Sequence, residues 1–342
     1  MPPSNAGGYN KTVKKTIGLI HNQPIPEGQA NWESSADVMT QVEAIETALT
    51  GLGLASARIP FTRDLGRFVQ RLEEAGITTA FNLCESVDDN PQFVAHPAAV
   101  LELLNIAFTG SPASSLTTTT DKHLVKLVLQ AAGLPTPKSL LYLGGEPDDC
   151  RTLRFPVILK PQFQDASIGI DQESVITEPA LLPASLREFY GRYGPIVVEE
   201  YIDGREFNIS LFGADPPELM PIAEIDFSGF PNNLYKIVGY RAKWAPESIE
   251  YRESKRIFPS LPATMEKELA AVASQCYLLF GLRDYGRVDL RLDAGGRPYV
   301  LEINANPCLS PDAGFPAAVQ KSGRNYQAMI EKFVAFVNAR SN

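Results

Sequence analysis

Short apolar runs alternate with amphipathic stretches through the first 120 residues, and this alternation predicts a small parallel α/β unit. Thr16 to Ile20 reads as a buried strand, Asp37 to Leu52 as a helix closed by Gly53, and Leu54 to Ile59 as the next strand. A second amphipathic helix spans Asp64 to Ala75, and Thr79 to Leu83 forms a third strand. The threonine run Thr117 to Thr120 and Asp121 offer N-caps for a helix from His123 to Ala132, ended by Gly133. The first unit therefore closes near Thr120. Beyond it the pattern becomes strand-rich, with Pro156 to Lys160, Pro195 to Tyr201 and Glu206 to Phe212. Between Asp226 and Pro262 glycine, proline, asparagine and charges mix without a period, the mark of a long functional loop.

Near the C-terminus two alternating segments, Arg287 to Arg291 and Tyr299 to Asn304, flank the glycine turn Asp293 to Pro298 and predict a hairpin. A turn centred between Gly295 and Gly296 sets Asp289 opposite Glu302 and Arg287 opposite Asn304. Val288, Leu290, Leu301 and Ile303 then share the other, buried face. Two carboxylates directly across a strand pair repel, so this arrangement makes most sense with a hard divalent cation between them. Donors that are all oxygen point to magnesium or manganese.

A chain of 342 residues is long for one core, so two or three subdomains are expected, and a hydrophobic content of 44% supports them. The net charge of −9 argues against nucleic acid or an anionic membrane as the main partner. No apolar run approaches the roughly 20 residues of a membrane span, and the polar residues 1–15 read as a disordered tail without a signal-peptide core. A cytoplasmic protein is expected. Cys84, Cys150, Cys276 and Cys308 are far apart and follow no metal spacing, and His21, His96 and His123 are equally scattered. Free thiols are the default, and neither a zinc site nor a serine triad has support.

Lys160 ends an apolar strand and directly precedes Pro161, where an unpaired ammonium would be costly, so it calls for an anion. Five residues on, the small-residue loop Asp165 to Ile170 could close its amides over phosphates, although a surface turn after an edge strand explains it equally well. Glu199, Glu200, Tyr201 and Ile202 follow an apolar strand and could present backbone donors and acceptors to a flat base; a solvated strand end is the comparable reading. Lys122 and Lys243, read alone, are ordinary surface lysines.

Taken in order, these segments resemble the ATP-grasp superfamily, most closely the D-alanine–D-alanine ligase family, from about Phe108 to the C-terminus. The resemblance rests on Thr109-Gly-Ser111, Asp121-Lys122, Lys160-Pro161, Ser167-Ile-Gly169, Glu199 to Glu206, Ala242-Lys243, Gly286 to Asp289 and Leu301 to Pro307. It implies an ATP-grasp fold, of mixed α/β and α+β class, in three subdomains: a parallel α/β domain over 16–120 and two β-rich lobes over 121–206 and 207–342. It also implies ATP and two magnesium ions as cofactors. Lys122 and Lys160 would hold the α- and β-phosphates, Ser167 would sit in the phosphate loop, and Lys243 would meet the γ-phosphate. Glu199, Glu200, Tyr201 and Ile202 would frame adenine, with Glu206 on the ribose. Asp289, Glu302 and Asn304 would hold the metals, and Arg287 would stabilise the oxyanion of a tetrahedral intermediate.

The implied reaction activates a carboxylate as an acyl phosphate, which an amine then attacks, releasing ADP and phosphate. Small amino-acid or peptide substrates are implied, and a homodimer, which relatives commonly form, stays open. The family pattern breaks at the substrate positions. Ala166 and Trp244 replace a serine and a tyrosine, Asn306-Pro307-Cys308 replaces Ser-Pro-Gly, and Ala313-Gly314 replaces Ser-Leu. The segment Asn82 to Pro91 lacks the usual His-Gly, and the N-terminal glutamate has only Glu33 and Asp37 in its region. The expectation is therefore a ligase for substrates other than two D-alanines. The alternatives are the D-alanine–D-alanine activity with a diverged pocket, or a nucleotide-binding regulatory protein; an intact Arg287, Asp289, Glu302 and Asn304 set disfavours the last.

Overall fold

A computed structural model of the protein describes residues 16–29, 32–146, 152–213 and 216–341. The tail expected over residues 1–15 lies outside this range, as does Cys150. The first sheet is fully parallel in the order β2-β1-β3-β4, built from β1 (Thr16–Asn22), β2 (Ala55–Phe61), β3 (Ile77–Asn82) and β4 (Ala107–Phe108). Between these strands run α1 (Trp32–Gly51), α2 (Leu65–Glu74) and α3 (Ala95–Leu103). Helix α1 begins at Trp32, ahead of the expected Asp37, because its buried stripe starts at the polar Ser34 and continues through Val38, Gln41, Val42 and Ile45. A hydrophobic pattern does not count Ser34 or Gln41.

The threonine run is not a cap. It is the second half of helix α4 (Ala113–Thr120), where Thr117, Thr118, Thr119 and Thr120 each donate a hydroxyl to the carbonyl four residues back at 2.8–2.9 Å. That back-bonding gives every hydroxyl of the run a partner within the helix. Asp121 alone caps the next helix, α5 (Lys122–Ala131), accepting from the amides of His123 and Leu124.

The second sheet is antiparallel, order β5-β8-β6-β7, from β5 (Ser139–Tyr142), β6 (Val157–Pro161), β7 (Val175–Ile176) and β8 (Ile196–Glu200). Helix α6 (Leu182–Tyr193) covers it, with Leu186 and Phe189 packed among Val157, Leu159 and Val198. The third sheet holds β9 (Arg205–Phe212), β10 (Glu218–Leu219), β11 (Ala223–Asp226), β12 (Lys255–Ile257), β13 (Tyr285–Leu292) and β14 (Pro298–Asn304). Its order is β12-β11-β9-β13-β14, with β10 beside β9.

The expected loop from Asp226 to Pro262 is partly regular: it contains α7 (Tyr240–Trp244), α8 (Ile249–Glu253) and β12. Helices of five residues are too short to leave a readable 3.6-residue period. Helices α9 (Ala263–Leu279), α10 (Gly314–Lys321) and α11 (Tyr326–Arg340) complete the chain. Phe333 of α11 sets its ring 6.0 Å from Phe81 of β3 and 5.1 Å from Phe212 of β9. The first and third sheets thus share one core, which fixes the ends of β1 and β3 against the loop that leaves β14.

In the β13–β14 hairpin Asp289 does face Glu302 and Arg287 does face Asn304, but by a different route from the one the turn suggests. The loop closes with the amide of Asp293 on the carbonyl of Arg297, and Gly296 takes a φ of +81° that favours glycine. This pairs Leu290 with Val300, one residue out of step with the expected register, and a bulge at Leu301 restores the step before Glu302. Leu301 consequently leaves the buried face, where Val288, Leu290 and Ile303 remain at 0–2% exposure, and lines the cleft described below.

Candidate active site

Where the three sheets converge they leave a cleft of about 560 Å³. Every residue singled out in the sequence for nucleotide, metal or oxyanion chemistry lines it, from Lys122 and Lys160 through Glu206 and Lys243 to Arg287 and Asn304. Asp37 lines it too, whereas Glu33 does not. Lys122 is no ordinary surface lysine: its side chain is 12% exposed, its ammonium donates to the Gln164 carbonyl, and Glu302 lies 3.8 Å away.

One end is built on β8. Glu199, 1% exposed, holds Lys160 on one carboxylate oxygen, and its Oε2 lies 2.9 Å from the Lys126 ammonium. That second contact is a charge contact, off-line for a hydrogen bond. Burial alone would raise this carboxyl, but the ammoniums of Lys126 and Lys160 pull it down to about 2. Glu200 turns its side chain outward to Arg154 at 2.7–2.9 Å. Tyr201 and Ile202 continue the wall. Arg291 lies over the Tyr201 ring at 5.2 Å, donates to the Ile202 carbonyl at 2.8 Å and clamps Glu206 through Nε at 3.0 Å. The aromatic face, the apolar Ile202 and Leu301, and the fixed Glu206 carboxylate suit a base with an attached sugar.

The phosphate-loop candidate is geometrically special. Ala166, Ser167 and Gly169 have φ of 51°, 62° and 74°, an unusual run of left-handed residues. Gly169 is required as well by space, since a Cβ there would meet Pro161 Cγ at 2.7 Å. The Ser167 hydroxyl donates to the Val238 carbonyl at 2.7 Å, and the Trp244 indole N–H donates to the Ala166 carbonyl at 3.2 Å, so the segment leading into α7 pins the loop.

At the hairpin, Arg287 grips Asp289 with two hydrogen bonds of 2.8 and 2.9 Å, and Asn208 and Asn304 donate to the same carboxylate at 2.8 and 3.0 Å. Burial would lower Arg287, but Asp289 raises it well beyond the ordinary guanidinium range. Among the described residues no three His, Cys, Asp or Glu side chains form a closed metal cage. The donor set nevertheless fits magnesium, which binds through one or two carboxylates plus phosphate oxygens. Among the described residues Lys122, at 3.8 Å, is the one cation within ion-pair range of Glu302, and Asn304, donating through Nδ2, keeps its carbonyl oxygen for a cation.

The other end joins residues named in the sequence, such as Asp37, Asp165 and Cys308, to groups that it did not single out, chief among them Glu85 and Gln41. Glu85, on the loop after β3, accepts from the Gln41 amide at 2.7 Å, and Gln41 in turn accepts from the amide of Leu309 at 2.9 Å. Burial pushes Glu85 up to about 8, against the Gln41 hydrogen bond and with the Asp165 and Asp37 carboxylates adding to the rise. Asp37 accepts from the Cys308 thiol at 3.1 Å and from Ser310 at 3.3 Å. Asp165, exposed on its loop, behaves oppositely: Lys122, Lys243 and Arg287 hold it below the usual carboxylate range. Arg256, Asp312, Ala313 and Gly314 close this end. Lys126, Arg291, Asn208 and Glu85 share one reason for having been missed: each matters through partners 44 to 175 positions away, which no local spacing encodes. Only the charged residue at the second position of the apolar face of α5, Lys126, leaves a signal, a lysine within an otherwise buried helical stripe.

Comparison with known proteins agrees with this geometry. The family model described as the D-ala D-ala ligase C-terminus matches residues 145–335. A protein of Sinorhizobium fredii described as uncharacterised is 32% identical over 76% of this chain and 74% of its own length. A D-alanine–D-alanine ligase of Moorella thermoacetica is 28% identical over 93% of this chain and 97% of its own. The crystal structure of D-alanine–D-alanine ligase from Bacillus anthracis complexed with ATP superposes with a TM-score of 0.76 at 19% identity, covering 95% of this chain and 98% of that one.

Proposed function

The chain belongs to the D-alanine–D-alanine ligase family, and we infer that it carries out an ATP-dependent ligation forming a carbon–nitrogen bond, on substrates other than two D-alanines. The γ-phosphoryl group passes to the carboxylate of an amino acid or small peptide, giving an acyl phosphate and ADP. The amine of the second substrate attacks the acyl carbon, and phosphate leaves as the amide forms. Lys122 and Lys160 neutralise the α- and β-phosphates and Lys243 the γ-phosphate, while Ser167 and Gly169 offer backbone amides, those of Ala166 and Ile168 being bonded to Asp165. Tyr201, Ile202 and Leu301 sandwich the base beside Glu199 and Glu200, and Glu206 receives the ribose hydroxyls. Asp289, Glu302 and Asn304 would hold magnesium, which supplies charge neutralisation on the phosphoryl oxygens. Arg287, oriented by Asp289, faces the oxyanion of the tetrahedral intermediate.

The observation that carries the nucleotide half of this reading is the convergence of all these residues on one cleft. The substrate half rests on what that cleft lacks: Ala166 and Trp244 offer no hydroxyl, Ala313 offers none at the start of α10, and Glu85, Asp37 and Cys308 stand nearby instead. Identity to D-alanine–D-alanine ligases along nearly the whole chain favours a second reading, the parent activity in a reshaped pocket. Phosphate release from MgATP across D- and L-amino acids, singly and in pairs, with mass spectrometry of the products, separates the two. Release with a pair other than D-alanine supports the proposal, and D-alanine alone yielding a dipeptide overturns it.

A further inference from the structure

Lys126 is 1% exposed, one helical turn beyond Lys122, and takes no part in the roles described above. A buried ammonium is strongly unfavourable unless it is matched, so packing alone does not account for it. Its donors are accounted for. Nζ donates to the Leu301 carbonyl at 2.9 Å and the Val300 carbonyl at 3.2 Å, and lies 2.9 Å from Glu199 Oε2. These two carbonyls belong to the bulge in β14, the place where the hairpin register shifts. A bulge leaves backbone groups outside the ladder, and here β14 is the sheet edge, so no further strand receives them. Thr136 Oγ1 adds a donor to Val300 at 2.8 Å, and the Val300 amide donates to the Pro135 carbonyl at 2.8 Å. The Leu301 carbonyl has Lys126 as its partner.

We propose that Lys126 is a positioning residue that couples the two ends of the nucleotide site: its ammonium gathers the bulge carbonyls of β14 and the Glu199 carboxylate, so that Leu301 turns into the cleft while Glu302 stays opposite Asp289. The proposal rests on the nucleotide and magnesium reading of the cleft. Glu199 belongs to the second sheet and Glu302 to the third, and one buried cation ties their strands together. A neutral side chain of equal length would fill the space and free the bulge. Glu302 would then lose its fixed place, and the effect would fall on magnesium-dependent nucleotide binding.

The test is calorimetric titration of the full chain with the non-hydrolysable analogue AMPPNP at saturating and at limiting magnesium, which needs no knowledge of the acid or amine. The wild type, Lys126→Met, Lys126→Arg, Glu199→Gln and the pair Lys126→Met/Glu199→Gln are compared. The expected result is a roughly tenfold or greater weakening in Lys126→Met, larger when magnesium is limiting, and recovery of most of it in Lys126→Arg. Should Lys126→Met fail to fold, the double variant, which leaves no unpaired carboxylate, is read against Glu199→Gln alone and is expected to show the same extra magnesium requirement. Wild-type affinity and magnesium dependence in folded Lys126→Met, or in the double variant relative to Glu199→Gln, overturn the proposal while leaving the nucleotide reading intact. Failure of the wild type itself to bind AMPPNP with magnesium overturns both.

Discussion

Glu199 and Glu85 are carboxyls in the wall of one cleft, yet the first is driven down to about 2 and the second up to about 8. Partners, not depth, make the difference. At the Glu199 end every buried charge has an opposite charge against it: Lys126 and Lys160 on Glu199, Arg291 on Glu206, and Arg287 on Asp289. At the Glu85 end carboxylates gather, with Asp37 and Asp165 adding to the field, and Lys243 counters only part of it. On the proposed reading, the paired end is the one that takes the nucleotide with its metal, and the mismatched end is the one whose charge balance a substrate completes.

The largest expected effect comes from breaking the paired end at the chemistry. Asp289→Asn removes the carboxylate that orients Arg287 and should lower turnover roughly 100- to 1,000-fold with a much smaller loss of nucleotide affinity. Steady-state turnover beside calorimetric binding checks this, and unchanged turnover would remove Asp289 from the metal and oxyanion machinery. Glu199→Gln strips two ammoniums of their shared partner and should cost about 3–5 kcal/mol of stability in denaturant unfolding. A loss below 1 kcal/mol would mean that Lys126 and Lys160 find their compensation elsewhere.

Smaller effects sharpen the other end. Ala166→Ser with Trp244→Tyr returns two hydroxyls worth about 1 kcal/mol each, so D-alanine-stimulated ADP release should rise by roughly tenfold or more over the parent chain. No gain would place the difference in Glu85 and Cys308 instead. The mildest test is pH. Glu85 has its folded pKa raised from 4.5 to about 8, so its contribution to stability is complete below pH 4.5 and is lost as pH climbs toward 8. Glu199 works the other way, contributing above 4.5 and losing its contribution as pH falls toward 2. Thermal unfolding from pH 5 to 8 should therefore show a downward component in the wild type that Glu85→Gln removes; identical slopes would show that Glu85 does not hold its proton in the fold.

How much of this could be read from the residues follows the same division. The hairpin was legible because strand alternation places Asp289, Glu302, Arg287 and Asn304 by counting, and the family's nucleotide residues occur as short contiguous motifs. The bulge was not, since one extra residue at Leu301 leaves the Arg287–Asn304 and Asp289–Glu302 pairs unchanged while moving Leu301 from core to cleft. Helix α4 was hidden because four threonines look like caps until their hydroxyls are seen folded back on the helix carbonyls. Lys126, Arg291 and Glu85 escaped notice because their partners are distant in sequence: Glu199 and Leu301, Glu206, and Gln41. The acceptor end is assembled from α1, the loop after β3, the segment around α7 and the loop after β14, and no one stretch of chain contains its pattern.

The claim that a retained nucleotide end is joined to a changed acceptor end is tested most directly by titrating D-alanine into a preparation whose MgATP affinity has been measured, and following ADP release with product mass spectrometry. The account predicts nucleotide binding together with ADP release that D-alanine does not raise above background. D-alanine-dependent release accompanied by the D-alanyl-D-alanine dipeptide would contradict it.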